Sequence, residues 1–425
     1  MKVLRNIGRR FRQSLHDVAW IFWRELRQTV RDEGVLIFFL LVPLAYPLVY
    51  AFIYNDEVVR DVPVAVVDDS RTTRSRDYLR RVDASPDVRV AAYCADMEEA
   101  RRLMRERRAY GIIYVPATFN DDLMCGRQTY VSIFCDMSGL LYYKALLSSN
   151  TYVSLAMNAR IKVERLPGLT AEQDKTLAQP LAYEEVSLYN PQNGFAAFLI
   201  PAVLVLVIHQ TLLLGIGLSA GTARERNRFH ELIPVNRHYG GLLRIVLGKS
   251  LAYLLVYVPV SVYVLGVVPR LFSLPQIGQP ATLALFALPF MLATIFFAMT
   301  VSVAVRQRES CMLLVVFTSV PLLFISGISW PGAAVPEFWR VVSWLVPSTF
   351  GINGYVRINS MGADLSQVAT EWRALWAQAG VYFLTACLVY RAQIRGARRR
   401  LLVRYHELKA RRRLLRKRFR NLPAQ

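Results

Sequence analysis

The sequence predicts a membrane α-helical protein with six transmembrane helices and an extracytoplasmic α/β domain inserted after the first. Three observations carry this expectation. Several uncharged apolar runs reach the roughly 20 residues needed to cross a bilayer. A long polar segment, 55–194, alternates strand-like and helix-like patterns. Net positive charge is concentrated in a few segments that a six-span path puts on one side. The 425-residue chain is 54% hydrophobic with mean hydropathy +0.28, yet carries a net charge of +21. That apolar content excludes a disordered basic tail protein, and the membrane-length runs argue against an ordinary soluble nucleic-acid binder. Five cysteines in 425 residues do not make a disulfide scaffold.

Residues 1–34 form an N-terminal segment that ends in an amphipathic helix. Trp20, Ile21 and Trp23 suit an interface, with Arg24, Arg27 and Arg31 at headgroup level. The first span is 35–54, free of charge. It starts too late, and is too long, for a cleaved signal peptide, and no A-x-A-like site follows it. It reads as an uncleaved anchor. Further spans are expected at Phe195–Ala220, about Ile245–Val268, Ala281–Val305 and Cys311–Ile328. A shorter and less apolar one is expected at about Ala374–Tyr390. Together 195–390 form the second to sixth spans. Pro43, Pro201, Pro259 and Pro289 fall inside these runs, which lipid-buried helices tolerate. Lys249 lies near one end of the third span, where it is expected to snorkel. His209 and Gln210 lie mid-span in the second. Polar groups at that depth face protein or a water-filled cavity, and an interhelical hydrogen bond is the expectation.

Charge fixes the orientation. Residues 1–34, 221–244, 306–310 and 391–425 hold 29 basic and 8 acidic residues, the whole of the +21. Segment 55–194 holds 18 basic and 20 acidic residues. Both termini are therefore expected in the cytoplasm and 55–194 outside. In the outer domain, Val62–Asp69, Val88–Tyr93, Gly111–Val115 and Thr129–Cys135 read as strands. Ser75–Val82, Met97–Arg108 and Leu140–Arg165 read as helices, which implies a largely parallel sheet. Asp68 and Asp69 at a strand end read as turn residues before they read as a site. Cys94, Cys125 and Cys135 allow at most one internal bridge. The domain either contacts a ligand or partner or is a stable cap.

Three local patterns mimic catalytic motifs. Gly217-Leu218-Ser219-Ala220-Gly221 fits G-x-S-x-G, but it ends an apolar span instead of joining a strand to a helix. Gly248-Lys249-Ser250 lacks the leading glycine of a P-loop, since position 243 is Leu243. His230-Glu231 opens a zinc motif that Pro234 interrupts. No catalytic group, metal site or bound cofactor is expected in this chain.

Three stretches together resemble the membrane subunit of ABC-2 type exporters, in the subgroup with a large extracytoplasmic domain after the first helix. Trp23–Asp32 (WRELRQTVRD) resembles that family's elbow helix. Thr222–Ser250 resembles its loop between spans two and three, with Glu225, Glu231, Leu232, Pro234, Gly248 and Lys249 in matching places. Ser326–Pro347 resembles its segment folded back into the outer leaflet, with Gly327, Pro331, Pro336 and Pro347 as turning points of a re-entrant 327–350. The resemblance implies half of a pore, completed by a second permease copy or a sibling permease. It implies a separate ABC ATPase subunit dimer that binds ATP and Mg. Glu25, Arg27, Arg224, Glu225, Glu231, Leu232 and Pro234 are the residues expected to couple to it, within a loop at 221–244. A periplasmic adaptor is compatible with this arrangement. The cargo is expected to be hydrophobic or amphipathic, drug- or lipid-like. The basic tail 391–425 is expected to meet anionic lipids, and no nucleic-acid motif is present. The rival reading is a membrane-anchored sensor or scaffold with an extracytoplasmic ligand-binding α/β domain.

Overall fold

The structure is a computed structural model that describes every residue except 1, 166–169, 179–186, 192, 226–240, 306 and 421–425. The chain divides into two compact units, Asp56–Gly194 and the remainder, Met1–Asn55 with Phe195–Gln425.

The smaller unit holds a four-stranded sheet: β1 (Val62–Asp68), β2 (Val88–Tyr93), β3 (Gly111–Val115) and β4 (Ser132–Cys135). Their order is β2-β1-β3-β4, with β1 parallel to both neighbours and β4 antiparallel to β3. The central β1 is apolar at successive positions because both of its faces are covered. Val64 and Val66 join one core with Tyr78, Leu79 and Leu146, whereas Ala65 and Val67 join another with Ala100 and Leu103. The helices that supply these residues are Thr73–Asp83, Met97–Arg105 and Leu140–Arg165. Burial pushes the Tyr78 phenol up to about 12, and its hydroxyl donates to Asn150 Oδ1 at 3.1 Å. Asp68 accepts from Arg71 N and from Ser75 Oγ, at 3.0 and 2.8 Å. It therefore fixes the turn into the following helix. Cys94, Cys125 and Cys135 are unbridged.

The larger unit is helical. Helix α1 (Lys2–Arg31) leads into α2 (Glu33–Ile53), and Asp32 caps the junction by accepting from Gly34 N and Val35 N. Then come α3 (Phe195–Glu225), α4 (Leu242–Leu271), α5 (Pro280–Val301) and α6 (Arg308–Ile325). A short α7 (Glu337–Ser343), α8 (Pro347–Met361) and α9 (Ala369–Arg420) complete the unit. Among the described residues five helices, α2 to α6, are long and apolar enough to cross a membrane. The expected sixth span lies within α9, which at 52 residues is about 78 Å long. It is not among those five, since its apolar stretch is short and flanked by arginines.

Burial ranks the spans. In the most apolar stretch of α3, 89% of residues are buried, against 22% for α2 and 17% for α6. The core therefore forms around α3. Phe39 of α2 meets Tyr253 and Tyr257 of α4 edge to face, at 5.8 and 5.1 Å. Two π-turns interrupt the spans, Ile37–Leu41 ahead of Pro43 and Tyr263–Val267 after Pro259. Proline removes a ladder hydrogen bond, and a wider turn absorbs the mismatch.

Candidate functional site: the seam between the N-terminal helix and the spans

Among the described side chains of α1, the buried ones recur every four positions: Asp17, Ile21, Glu25 and Thr29. This spacing puts them on one face of the helix, and that face packs on the start of α4. Two of the four are carboxylates, so burial requires partners. Glu25 accepts from Lys249 Nζ through both carboxylate oxygens at 2.8 Å, and Tyr253 also donates to it. Both charged side chains are only 4% exposed. Arg244 pairs with Asp17 one turn nearer the start of α4. Gly248 lets the two helices approach this closely. A Cβ there would lie 2.8 Å from Ile21 Cγ2 and 3.1 Å from the Val18 carbonyl. The Gly248-Lys249 pair thus has a physical role, one residue for the approach and the next for the charge. Lys249 does not snorkel. It is enclosed because the α1 carboxylate stabilises it better than partial hydration would.

A second set of contacts fixes the same end of the unit. Arg308, at the start of α6, pairs with Asp32 at 3.3 Å. Arg224, at the end of α3, donates to the carbonyls of Ser302 and Val305, just past the end of α5. Terminal helix carbonyls lack intrahelical donors, and a guanidinium supplies them.

The residues expected to couple to an ATPase therefore divide. Glu25 and Arg224 are engaged inside the unit, whereas Arg27 and Glu225 are exposed. Glu231, Leu232 and Pro234 lie outside the described residues. The expected loop at 221–244 begins later than its sequence implies, since α3 continues to Glu225. The G-x-S-x-G residues 217–221 are wholly helical within α3, and Gly248-Lys249-Ser250 are wholly helical within α4, so neither pattern has the loop its chemistry needs. The pairs Asp17–Arg244 and Asp32–Arg308 were not anticipated. The four-residue recurrence from Asp17 to Thr29 was the signal that could have shown which carboxylates turn inward.

His209 is fully buried, with Nδ1 3.5 Å from Thr294 Oγ1 of α5 and its ring 5.7 Å from that of Phe297. This contact joins α3 to α5. Among the described residues, His209 Nε2 and Gln210 Nε2 have no hydrogen-bond partner.

After α6 the chain reverses at Gly327, whose φ of +88° only glycine adopts without strain. Each expected proline then opens a helical piece. Pro331 precedes the 3₁₀ turn Gly332–Ala334, Pro336 precedes α7, and Pro347 begins α8. Asn353 of α8 ties the reversal down by donating to the Ser326 carbonyl at 3.1 Å.

A bundle of helices, five of them among the described residues long and apolar enough to cross a bilayer, defines the class as a multi-pass membrane protein. The chain belongs to the ABC-2 family transporter proteins, matching that family over residues 34–388. It is 21% identical to the linearmycin resistance permease protein LnrN of Bacillus subtilis (strain 168) over 390 residues, which covers 83% of this chain and 94% of that one. It is 24% identical to the inner membrane transport permease YhhJ of Escherichia coli (strain K12) over 296 residues, covering 66% of this chain and 73% of that one. The Shigella flexneri protein of the same name matches equally.

Proposed function

We propose that this chain is the transmembrane permease subunit of an ATP-driven exporter, lying in the cytoplasmic (inner) membrane with six spans and both termini in the cytoplasm. The unit 56–194 then stands outside. The observation that carries the coupling part is the seam between α1 and α4. An enclosed ion pair, a second partly exposed one and a glycine contact hold α1 to the third span, so a force applied to α1 moves that span. Arg27 on α1 and Glu225 at the end of α3 remain exposed for a partner. Together with Glu231, Leu232 and Pro234 they make the contact surface for an ABC ATPase subunit dimer. ATP and Mg act in that partner. Energy enters as the partner's unequal affinity for two arrangements of the spans.

A second permease, identical or a sibling, completes the pore, and α2 and α6 are the least covered spans available to it. The cargo is hydrophobic or amphipathic. Lys249 is neutralised by Glu25, so this buried pair offers no net charge to a multiply charged cargo. The name of the Bacillus relative ties that protein to linearmycin resistance, which supports outward transport. A periplasmic adaptor would act on the outer unit. The basic residues after Arg391 would hold α9 at an anionic lipid surface.

Co-purification with a co-expressed ABC ATPase from the same organism is the test. Replacing Glu225 and Glu231 together with Ala should leave the protein in the membrane and weaken ATPase association or transport. A double variant that equals wild type in both assays would overturn the coupling surface.

A further inference from the structure

A cavity of about 840 Å³ opens between α4 and α5, away from the seam with α1. That volume is within the roughly 300–1,000 Å³ of ordinary small-molecule sites. Its walls are apolar: Val258, Val262 and Leu265 of α4 face Ala284, Leu288 and Met291 of α5. Val258 and Val262 are also exposed, at 44% and 62%, so the cavity opens sideways on the apolar flank of the bundle. In a membrane protein that flank is in contact with lipid.

One end of the cavity is polar and built. Asn359 of α8 is 3% exposed, and its backbone carbonyl accepts from Ile277 N and Gly278 N. Its side chain donates to the Pro275 carbonyl and accepts from Gln276 Nε2 at 3.2 Å each. The α4–α5 connection is therefore held against α8. Gln276 Nε2 also reaches the Leu265 carbonyl at 3.1 Å, and Tyr355 donates to the same carbonyl at 3.0 Å. Leu265 lies in the π-turn Tyr263–Val267, and π-turns recur at functional sites. Gln276 Oε1 in turn accepts from Arg270 Nε at 3.1 Å and so orients the guanidinium. Among the described lining residues Arg270 alone is charged. Its terminal amino groups have no hydrogen bond among the described residues. At Gly266 of the same π-turn, an added Cβ would meet nothing within 4 Å, so the backbone borders open space.

We infer that this cavity is a binding site for an anionic membrane lipid, with its phosphate on Arg270 and an acyl chain along the α4–α5 walls. The chemistry selects that occupant. A sideways apolar mouth admits chains from the bilayer, and a lone oriented guanidinium at the polar end matches a phosphate through paired donors. A cationic amphiphile would meet Arg270 with no carboxylate in the lining to offset it. This inference does not depend on the direction of transport or on an ATPase.

The test uses the full-length protein in phosphatidylcholine vesicles that contain a minor fraction of a photoactivatable phosphatidylglycerol, with adducts mapped by mass spectrometry. Adducts should concentrate on 258–270 and 284–291. Gly266→Leu and Ala284→Phe, which fill the cavity from opposite walls, should each lower them about tenfold, whereas labelling elsewhere on the spans stays constant. Arg270→Gln should lower phosphatidylglycerol labelling by about tenfold, as expected for loss of a charge-assisted hydrogen bond, and lower that of a photoactivatable phosphatidylcholine of the same chains by less, because its choline ammonium already offsets the phosphate. Adducts spread evenly over exposed apolar residues such as Phe52 and Phe317 would overturn the site. Equal labelling by both headgroups in the wild type would overturn the role of Arg270. If one filling variant fails to accumulate, the other and the wild-type headgroup comparison decide.

Discussion

Two polar regions within the helical unit are built on opposite terms. At the α1–α4 seam, Glu25 and Lys249 are nearly as buried as the apolar core, and each has its charge answered by the other. In the middle of α3, His209 is fully buried with one weak contact, and its Nε2 has no partner among the described residues. Burying a charge is far costlier than burying a neutral imidazole. The seam must therefore be complete to exist at all, whereas the mid-span site tolerates being half made. Completeness makes the seam rigid, which the proposed coupling role requires. The mid-span site contributes packing, with little energy resting on its hydrogen bond.

Removing one partner of the seam should have the largest effect. Lys249→Ala leaves Glu25 as an uncompensated buried charge, a loss of roughly 3–5 kcal/mol. Lower accumulation in membranes and a lower unfolding temperature in detergent would register it. The double variant Glu25→Gln with Lys249→Met should recover most of that loss, because no charge is then left alone. If the double variant is as unstable as the single one, the pair is not the source of the stability. A smaller effect is expected from Gly248→Ala. The new methyl must push Ile21 aside at a cost of about 1–3 kcal/mol, and cysteine cross-linking between α1 and α4 should slow without loss of the fold. His209→Leu should do least, within about 1 kcal/mol in either direction, since it removes one weak bond and one unpartnered nitrogen. A loss as large as that of Lys249→Ala would mean that the mid-span histidine has a partner of comparable strength.

Much of the fold was legible before any coordinates. The strands at 62–68, 88–93 and 111–115 stand where β-branched runs meet acidic or glycine turns, and Leu140–Arg165 has the bounds its pattern implies. Strand β4 starts three residues later than its pattern, at Ser132, because its pairing with β3 ends at Tyr114. The apolar runs became α2 to α6 with ends shifted by a few residues. The less apolar sixth run did not separate from the basic helix that continues it: the only nearby glycine, Gly396, has no proline after it and is flanked by strong helix formers, so the helix runs through it. The candidate site was legible only as a set of residue types. Glu25 and Arg27 lie two positions apart on one amphipathic helix, and sequence similarity groups them together. Their 100° steps around the helix put one against α4 and the other outward.

The sequence by itself determined which segments are apolar enough to enter a membrane, where the basic charge lies, and that a separate α/β unit interrupts the spans. Those properties are local: they depend on runs of neighbouring residues and on their spacing. Only the tertiary structure decided that Lys249 answers Glu25 across 224 positions, that Arg224 completes the end of another helix, and that Arg270 stands alone at the mouth of a cavity. A charge has no preferred partner along the chain. Its partner is whichever opposite group the packing brings within a few ångströms, and packing is a property of the whole bundle.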